Sequence, residues 1–396
     1  VRSLLRYALP AYQLLKQYQM MALPVTSCLS ISWHDNRFPL LAKDLYSGGS
    51  AIFWHLRYFL RSFDLRSFDL RPFEISIVSR FSIKAPLISR KYMKITVLGC
   101  GAIGKLWLVA LSQQNHDIQA WIRVPQPFVS VRIDNFNGKV FDQQFSANDE
   151  KHLAESELLL VCLKAWQVSD AINNLAPKLS PHCPILLLHN GMGSQEEFLP
   201  LPNPILLGVT THGSYQENGI VYHKSQGITH IGSATANADK FSFLADVLHY
   251  ALPDVAWHNE IHTISWLKLA VNCIINPLTV IYDCKNGNLL QHTAQIDLLC
   301  DEIHQVMERD NLHTTKQMLV DYVMNVIEQT SENYSSMLQD IRAQRHTEID
   351  YITGFLLRRA RAYGLSIKET TIIYQCIKRK EEEYERLSPH LPGSRQ

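Results

Sequence analysis

Hydrophobic and polar positions follow two regimes along the chain, and the change comes at about residue 258. Residues 94–98, KITVL, are a short run of strand-forming residues, and 105–111 continue as an apolar helical stretch. A second strand reads at 117–122 and ends at Arg123. Residues 158–163 and 184–188 are unbroken apolar runs, the pattern of parallel strands covered on both faces. Strands alternating with helices predict an α/β domain built on a mostly parallel sheet. Beyond residue 258 the strands stop, and 264–277 reads as a long apolar helix with further helices after it. The pattern thus predicts an α/β domain at 93–258 and an all-helical domain at 259–396.

Residues 1–92 share neither regime. They are rich in Arg, Phe, Tyr, Leu and Ser, and carry thirteen Lys or Arg against five Asp or Glu. Their charge of about +8 is nearly cancelled by about −7 on the remainder, so the net charge of +1 hides an asymmetry. A five-residue repeat, RSFDL at 61–65 and again at 66–70, is too short for a solenoid. The first residue is Val and Met93 opens the first clear strand. We therefore expect residues 1–92 to be an upstream extension, disordered or a misassigned start, that packs poorly and takes no part in chemistry. A targeting or membrane-surface role is the alternative. The charge balance gives no argument for nucleic acid as a partner, and no run of eighteen apolar residues marks a membrane span. The eight cysteines form no CxxC pair and show no zinc spacing, and several lie inside apolar runs. They point to a reducing, cytoplasmic setting without a metal site.

The first strand and helix are joined by Gly99, Cys100, Gly101, Ala102, Ile103 and Gly104, a G-x-G-x-x-G sequence. Gly99 permits the tight turn, Gly101 lets backbone approach a pyrophosphate, and Gly104 lets the helix pack close to the strand. The helix N-terminus then offers N–H groups to the phosphates. In this strand–turn–helix context the motif predicts a Rossmann-type dinucleotide site. Arg123 lies about 20 residues further on, where an NAD enzyme places an acid on the ribose 2′-OH. A cation there suits the 2′-phosphate of NADP, the alternative being a solvated strand-end Arg. Lys164 and Gln167 follow the strand at 158–163, and Asn190 follows that at 184–188. All three are therefore placed at carboxyl ends of strands, where cofactor or substrate binds.

On the helix at 264–277, Lys268, Asn272 and Asn276 recur at i, i+4 and i+8 and share one face. The other faces are apolar, and a buried Lys needs a partner or a function. A cleft-facing stripe is expected over a solvent-facing one. Glu348 has two readings. Thr347 with Asp350 three residues on resembles a helix N-cap, which would put Glu348 in a first turn where its charge suits the helix dipole. Catalysis is the other, and periodicity does not choose between them.

Taken in order, the motifs resemble the ketopantoate reductase family, its enterobacterial type in particular, over about residues 93–389. They are the glycine fingerprint at 99–104, LKAWQVSDA at 163–171, HNGMG at 189–193 and GITHIG at 227–232. They continue with WLKLAVNCIINPLT at 266–279, SSMLQDIRAQRHTEIDYITGFLLRRA at 335–360 and KRKEEEYER at 378–386. The resemblance implies an N-terminal Rossmann domain and a C-terminal all-helical domain like that of 6-phosphogluconate dehydrogenase. It implies reduction of ketopantoate to (R)-pantoate with NADPH, on the way to pantothenate and coenzyme A. Lys268 would be the general acid, and Glu348 the acidic residue near the substrate hydroxyl. Asn190, Asn272, Asn276, Asn286 and Ser336 would bind substrate or cofactor, and Arg123, Lys164 and Gln167 the cofactor. Thr353 stands where the family pattern has Asn, which puts one polar contact in doubt. The implied chemistry is hydride transfer to the C2 carbonyl with a proton from Lys268 and no metal. The implied partner is the small-molecule substrate alone, with no nucleic acid or membrane, on a monomer or dimer. Two alternatives stay open: another small 2-oxo-acid or hydroxyacid dehydrogenase of the same superfamily, and a non-catalytic NADP-binding sensor.

Overall fold

The computed structural model describes residues 92–198 and 200–387, which belong to one compact unit, 85–396. The expectation for the first 91 residues lies outside the described residues. The chain runs β1 (Lys94–Leu98), α1 (Ala102–Ser112), β2 (Asp117–Trp121), β3 (Phe128–Asn135), β4 (Val140–Ser146), α2 (Glu150–Ala154) and β5 (Leu158–Val161). It continues through α3 (Ala165–Leu175), β6 (Ile185–Leu187), β7 (Ile205–Thr210), β8 (Gly213–Glu217), β9 (Ile220–Ser225), β10 (Thr229–Ser233), α4 (Leu244–Ala251) and β11 (Val255–Trp257). Helices follow: α5 (Ile261–Ile281), α6 (Thr293–Arg309), α7 (Lys316–Gln329), α8 (Ser336–Arg342), α9 (Thr353–Ala362) and α10 (Lys368–Leu387).

Seven strands form one sheet in the order β11-β10-β7-β6-β5-β1-β2. From β2 to β7 all neighbours are parallel, while β10 runs antiparallel to β7. The chain steps from β1 to β2 on one side and later to β5 on the other, so the order reverses between β1 and β5. The crevice outside the carboxyl ends of two such strands is where an open α/β sheet binds ligands. One face packs Trp107, Leu108 and Leu111 of α1, and the other Val168 and Ile172 of α3, all fully buried. Covering both faces is why β5, β6 and β7 are buried at every position, and why β5 and β6 read as unbroken apolar runs.

A second sheet, in the order β4-β3-β9-β8, has no counterpart in the apolar pattern above. It packs against α1 through β3, β8 and β9. Beyond the sheets, α5 runs from Ile261 to Ile281, longer at both ends than the apolar pattern, with Pro277 inside it. By length and composition it could cross a membrane, yet most of it is buried within the protein. It packs on α6, α7, α8 and α10 and also on β7 and β10, so sheet and helices share it as a common element.

Candidate active site

At the switch between β1 and β5 the loop takes the shape its glycines allow. Gly99 has φ +96°, and its N–H donates to the Trp121 carbonyl at 2.9 Å. A Cβ on Gly104 would lie 1.9 Å from the Gly99 carbonyl oxygen, so α1 can approach β1 only with glycine there. A Cβ on Gly101 would meet nothing within 4 Å, because this residue faces open space. Gly101 is the N-cap of α1, with no side-chain cap and no acid in the first turn. The first N–H groups of α1 are thus left to an outside acceptor. An anionic pyrophosphate fits that arrangement in both charge and room.

The loop opens onto a cavity of about 970 Å³. Every site residue singled out in the sequence lines it except Gly104, which is packed beneath the loop. Cys100, Ala102, Ile103 and the exposed Arg123 stand with the loop, whereas Lys268, Asn272 and Asn276 project from α5. Burial pushes the Cys100 thiol up to about 11 against the pull of Lys105, so it lines the site as a thiol and is no nucleophile.

Lys268 reaches from α5 to the sheet, and its Nζ donates to the Thr210 carbonyl at the end of β7, 2.7 Å away. Burial pushes its ammonium down to about 8, against the opposing pull of the Glu348 carboxylate. Such an amine is mostly charged at neutral pH yet gives up its proton readily. Glu348 is 4% exposed. Its carboxylate accepts from the Ala165 N–H at 3.0 Å and from Asn190 Nδ2 at 3.1 Å, and lies 3.5 Å from Lys164 Nζ. Lys164 Nζ is also 2.6 Å from Asp340, which accepts in turn from Arg345 Nε at 3.0 Å. Burial works against the Lys164 charge, but Glu348 and Asp340 outweigh it and hold the lysine above its ordinary pKa. Gln167 Oε1 accepts the Lys164 backbone N–H at 3.3 Å, which caps the start of α3. Lys164 and Gln167 therefore line the cavity while engaged with protein partners.

The helix-capping reading of Glu348 is overturned. Residues 348–352 form turns, and α9 begins only at Thr353. Thr347 gives its N–H and hydroxyl to Glu381 at 2.8 and 2.6 Å, and Asp350 is taken by Tyr374 and Lys378. Thr347 Oγ1 also accepts the Ile349 N–H at 3.2 Å, so it caps this turn rather than a helix, while Asp350 is committed to α10 and Glu348 turns to the cavity.

Asn276, 6% exposed, and Asn272 follow Lys268 along one face of α5 into the cavity. Asn286 donates from Nδ2 to Thr330 Oγ1 at 2.9 Å, and its buried Oδ1 has no partner among the described residues. Ser336 opens α8 beside the cavity, whereas its neighbour Ser335 is the cap, accepting from the Leu338 N–H at 3.1 Å. Thr353 is fully buried and does not line the cavity, so the departure there changes packing beside the site and leaves its wall intact. Three participants went unmarked in the sequence: the Thr210 carbonyl, the Ala165 N–H and Asp340. The first two are backbone groups that no side-chain pattern signals, and Asp340 acts through a partner 176 residues away.

The profile of ketopantoate reductase PanE/ApbA matches residues 95–236, and that of the family's C-terminal part matches 260–381. A 2-dehydropantoate 2-reductase of Yersinia pestis is 56% identical over 303 residues, covering 76% of this chain and 100% of that protein. Its counterpart in Escherichia coli O157:H7 is 55% identical over 300 residues, covering 76% and 99%. Among solved structures, a dimeric ketopantoate reductase from Staphylococcus aureus superposes with a TM-score of 0.64 at 21% identity, covering 73% of this chain and 99% of that one. A D-mandelate dehydrogenase with NADH and anilino(oxo)acetate does so with a TM-score of 0.66 at 21% identity, covering 73% and 98%. At that identity both show the shared fold alone. Matched in both halves and more than half identical to relatives along their whole length, this chain belongs to the ketopantoate reductase family.

Proposed function

We infer that the protein is a 2-dehydropantoate 2-reductase that reduces ketopantoate to (R)-pantoate with NADPH. The observation that carries this is Lys268, an ammonium lowered by burial, standing in the same cavity as an uncapped glycine loop. Support comes from the relatives at 53–56% identity, all 2-dehydropantoate 2-reductases. The cofactor is a nicotinamide nucleotide. Choice of NADPH over NADH falls to Arg123, whose exposed guanidinium at the loop end of the cavity suits a 2′-phosphate.

When bound, the dihydronicotinamide supplies a hydride to the substrate's C2 carbonyl. Lys268 meets the negative charge that builds on the carbonyl oxygen and delivers a proton to it from Nζ. The Thr210 carbonyl fixes the amine through one of its three N–H groups and leaves the others available. Asn272, Asn276, Asn286 and Ser336 orient the substrate's carboxylate and hydroxyl without adding charge. Glu348, held by Ala165 and Asn190, is the acceptor for the substrate hydroxyl. A non-catalytic sensor has no need of a proton donor so placed.

Loss of NADPH absorbance on adding ketopantoate is the test, alongside NADH and a panel of small 2-oxo acids. Turnover should be highest with ketopantoate and NADPH. Faster turnover of another 2-oxo acid, or none at all, would reject the assignment.

A further inference from the structure

A second, smaller chamber of about 30 Å³ adjoins the large cavity. His189, Asn190, Lys268 and Asn272 line both spaces and form the partition between them. The chamber's remaining polar wall is Ser265 on α5 and Gln195 in the segment after β6. Its volume exceeds the roughly 10–15 Å³ that one water requires, and the wall offers the two to four partners a buried water needs.

The reason for a water there lies in the valence of the lysine. An ammonium has three N–H groups. Lys268 commits one to Thr210 at 2.7 Å, and a second serves the substrate oxygen in the large cavity. Lys268 also lines the chamber, which leaves that space for a partner to the third. Charged and titratable groups near Lys268 come from three other elements. Glu348, in the turn before α9, favours its charge. His189, after β6, and His230, on β10, are both pushed down by burial, His230 to about 4, so neither supplies a counter-charge or a ready proton. Both His189 nitrogens are occupied, by the Asn190 carbonyl at 2.9 Å and Ser194 Oγ at 2.7 Å, and His230 pairs with His258 at 2.8 Å.

We propose that this chamber is a water site, in which solvent hydrogen-bonds Lys268 and returns its proton while the substrate cavity is filled. The proposal rests on Lys268 being the proton donor. In each turnover the carbonyl carbon gains the hydride with its electron pair, and one N–H bond of Lys268 breaks as the product O–H forms. Nζ is left with a lone pair. A chamber water gives Nζ a proton and takes one from bulk solvent, so one solvent proton is consumed per carbonyl reduced.

Ser265 is the residue to change, because among the described residues its Oγ bonds its own helix, donating to the Ile261 carbonyl at 3.0 Å. Ser265→Leu fills the chamber, and Ser265→Ala leaves it open. In Ser265→Leu the alkaline limb of the kcat/KM profile should move down by about one pH unit, the effect of removing a hydrogen bond from the charged form. Its solvent isotope effect on kcat should rise, while Ser265→Ala behaves as the parent. A crystal structure of the parent should show a water within hydrogen-bond distance of Nζ in the chamber, and one of Ser265→Leu should lack it. A dry chamber in the parent, or an unmoved alkaline limb in Ser265→Leu, overturns the proposal. If Ser265→Leu does not fold, Ser265→Val, a smaller addition to the same wall, carries the same test. Lys268→Ala keeps the two levels apart: retained turnover sinks the reading of the lysine, whereas lost turnover with an unmoved Ser265→Leu limb sinks only the water site.

Discussion

Burial of Lys268 lowers the pKa of its ammonium, and the proposed role of proton donor and the expected cost to the fold both follow from that. Lys268→Ala should lower turnover by roughly 10²–10⁴-fold, the range for a positioned proton donor. Nucleotide affinity, measured by fluorescence titration, should hold, because the glycine loop lies elsewhere in the cavity. With Lys268 in the proposed role of proton donor, the charged form is the one that acts in the reduction direction, so kcat/KM should fall as pH rises through about 8. Stability runs the other way. The folded pKa lies below the ordinary 10.5, so the unfolded chain binds more protons between about pH 8 and 10.5, and stability from this group rises across that window. Lys268→Met should therefore raise the melting temperature at neutral pH while abolishing turnover, and a lower melting temperature would show that the lysine holds the fold. Arg123 carries the second residue-scale expectation. A charge-assisted contact to phosphate contributes about 1.5–3 kcal/mol, so Arg123→Asp should cut the preference for NADPH over NADH by about tenfold or more, read from the ratio of kcat/KM values. Equal use of both cofactors by the parent would contradict the role given to Arg123. Lys268 was legible in the sequence because a polar stripe at i, i+4 and i+8 stands out in an apolar helix. Its acceptor was not, because every residue has a carbonyl and only the fold selects that of Thr210.

Elements were legible where their burial is two-sided. The strands β5 and β6 are covered on both faces and announce themselves as apolar runs, whereas β7, equally buried, carries Gly208 and Thr210 and was not read. The second sheet was not, because only one face of its strands is covered. β3 buries Val129, Val131 and Ile133 but exposes the residues between them, and β4 is mostly exposed. The turn carrying Glu348 stayed between two readings for another reason. Its Thr347 and Asp350 have capping chemistry, but both also bond partners on α10 more than twenty residues away, and the regular helix begins only at Thr353. The glycine loop allows a paired test at this scale. Gly101→Ala adds a methyl into open space, so the ligand-free protein should melt as the parent does while NADPH no longer raises its melting temperature. Gly104→Ala drives a methyl into the Gly99 carbonyl, so the ligand-free protein should itself melt lower. Calorimetry with and without NADPH separates the two. A Gly101→Ala protein that binds NADPH normally would mean that the pyrophosphate does not approach the loop there.

At the scale of the whole molecule, the site exists only because the sheet and the helices are held at one spacing. The glycine loop belongs to the sheet, and the facing wall with Lys268, Asn272, Asn276 and Glu348 belongs to α5 and the turn before α9. Besides α5, ties across the cavity run from Ala165 and Asn190 to Glu348, and the charged one is Lys164, which brings its ammonium from the end of β5 to Asp340 and Glu348. The two carboxylates are 5% and 4% exposed and the lysine 33%. Removing one partner of a fully buried pair costs about 3–5 kcal/mol, but this lysine is partly screened and each carboxylate keeps other donors. Lys164→Met should therefore destabilise the ligand-free protein by about 1–2 kcal/mol, a fall of a few degrees in melting temperature. Loosened spacing should also raise the KM for ketopantoate, with a smaller loss in kcat than Lys268→Ala shows. This outcome separates a structural tie from the cofactor contact that the family resemblance implies for the same residue. A pure cofactor contact would leave the ligand-free melting temperature unchanged and weaken NADPH binding alone. If calorimetry finds no change without ligand, Lys164 belongs to the nucleotide; if it finds the fall, Lys164 also sets the distance across which hydride and proton must meet.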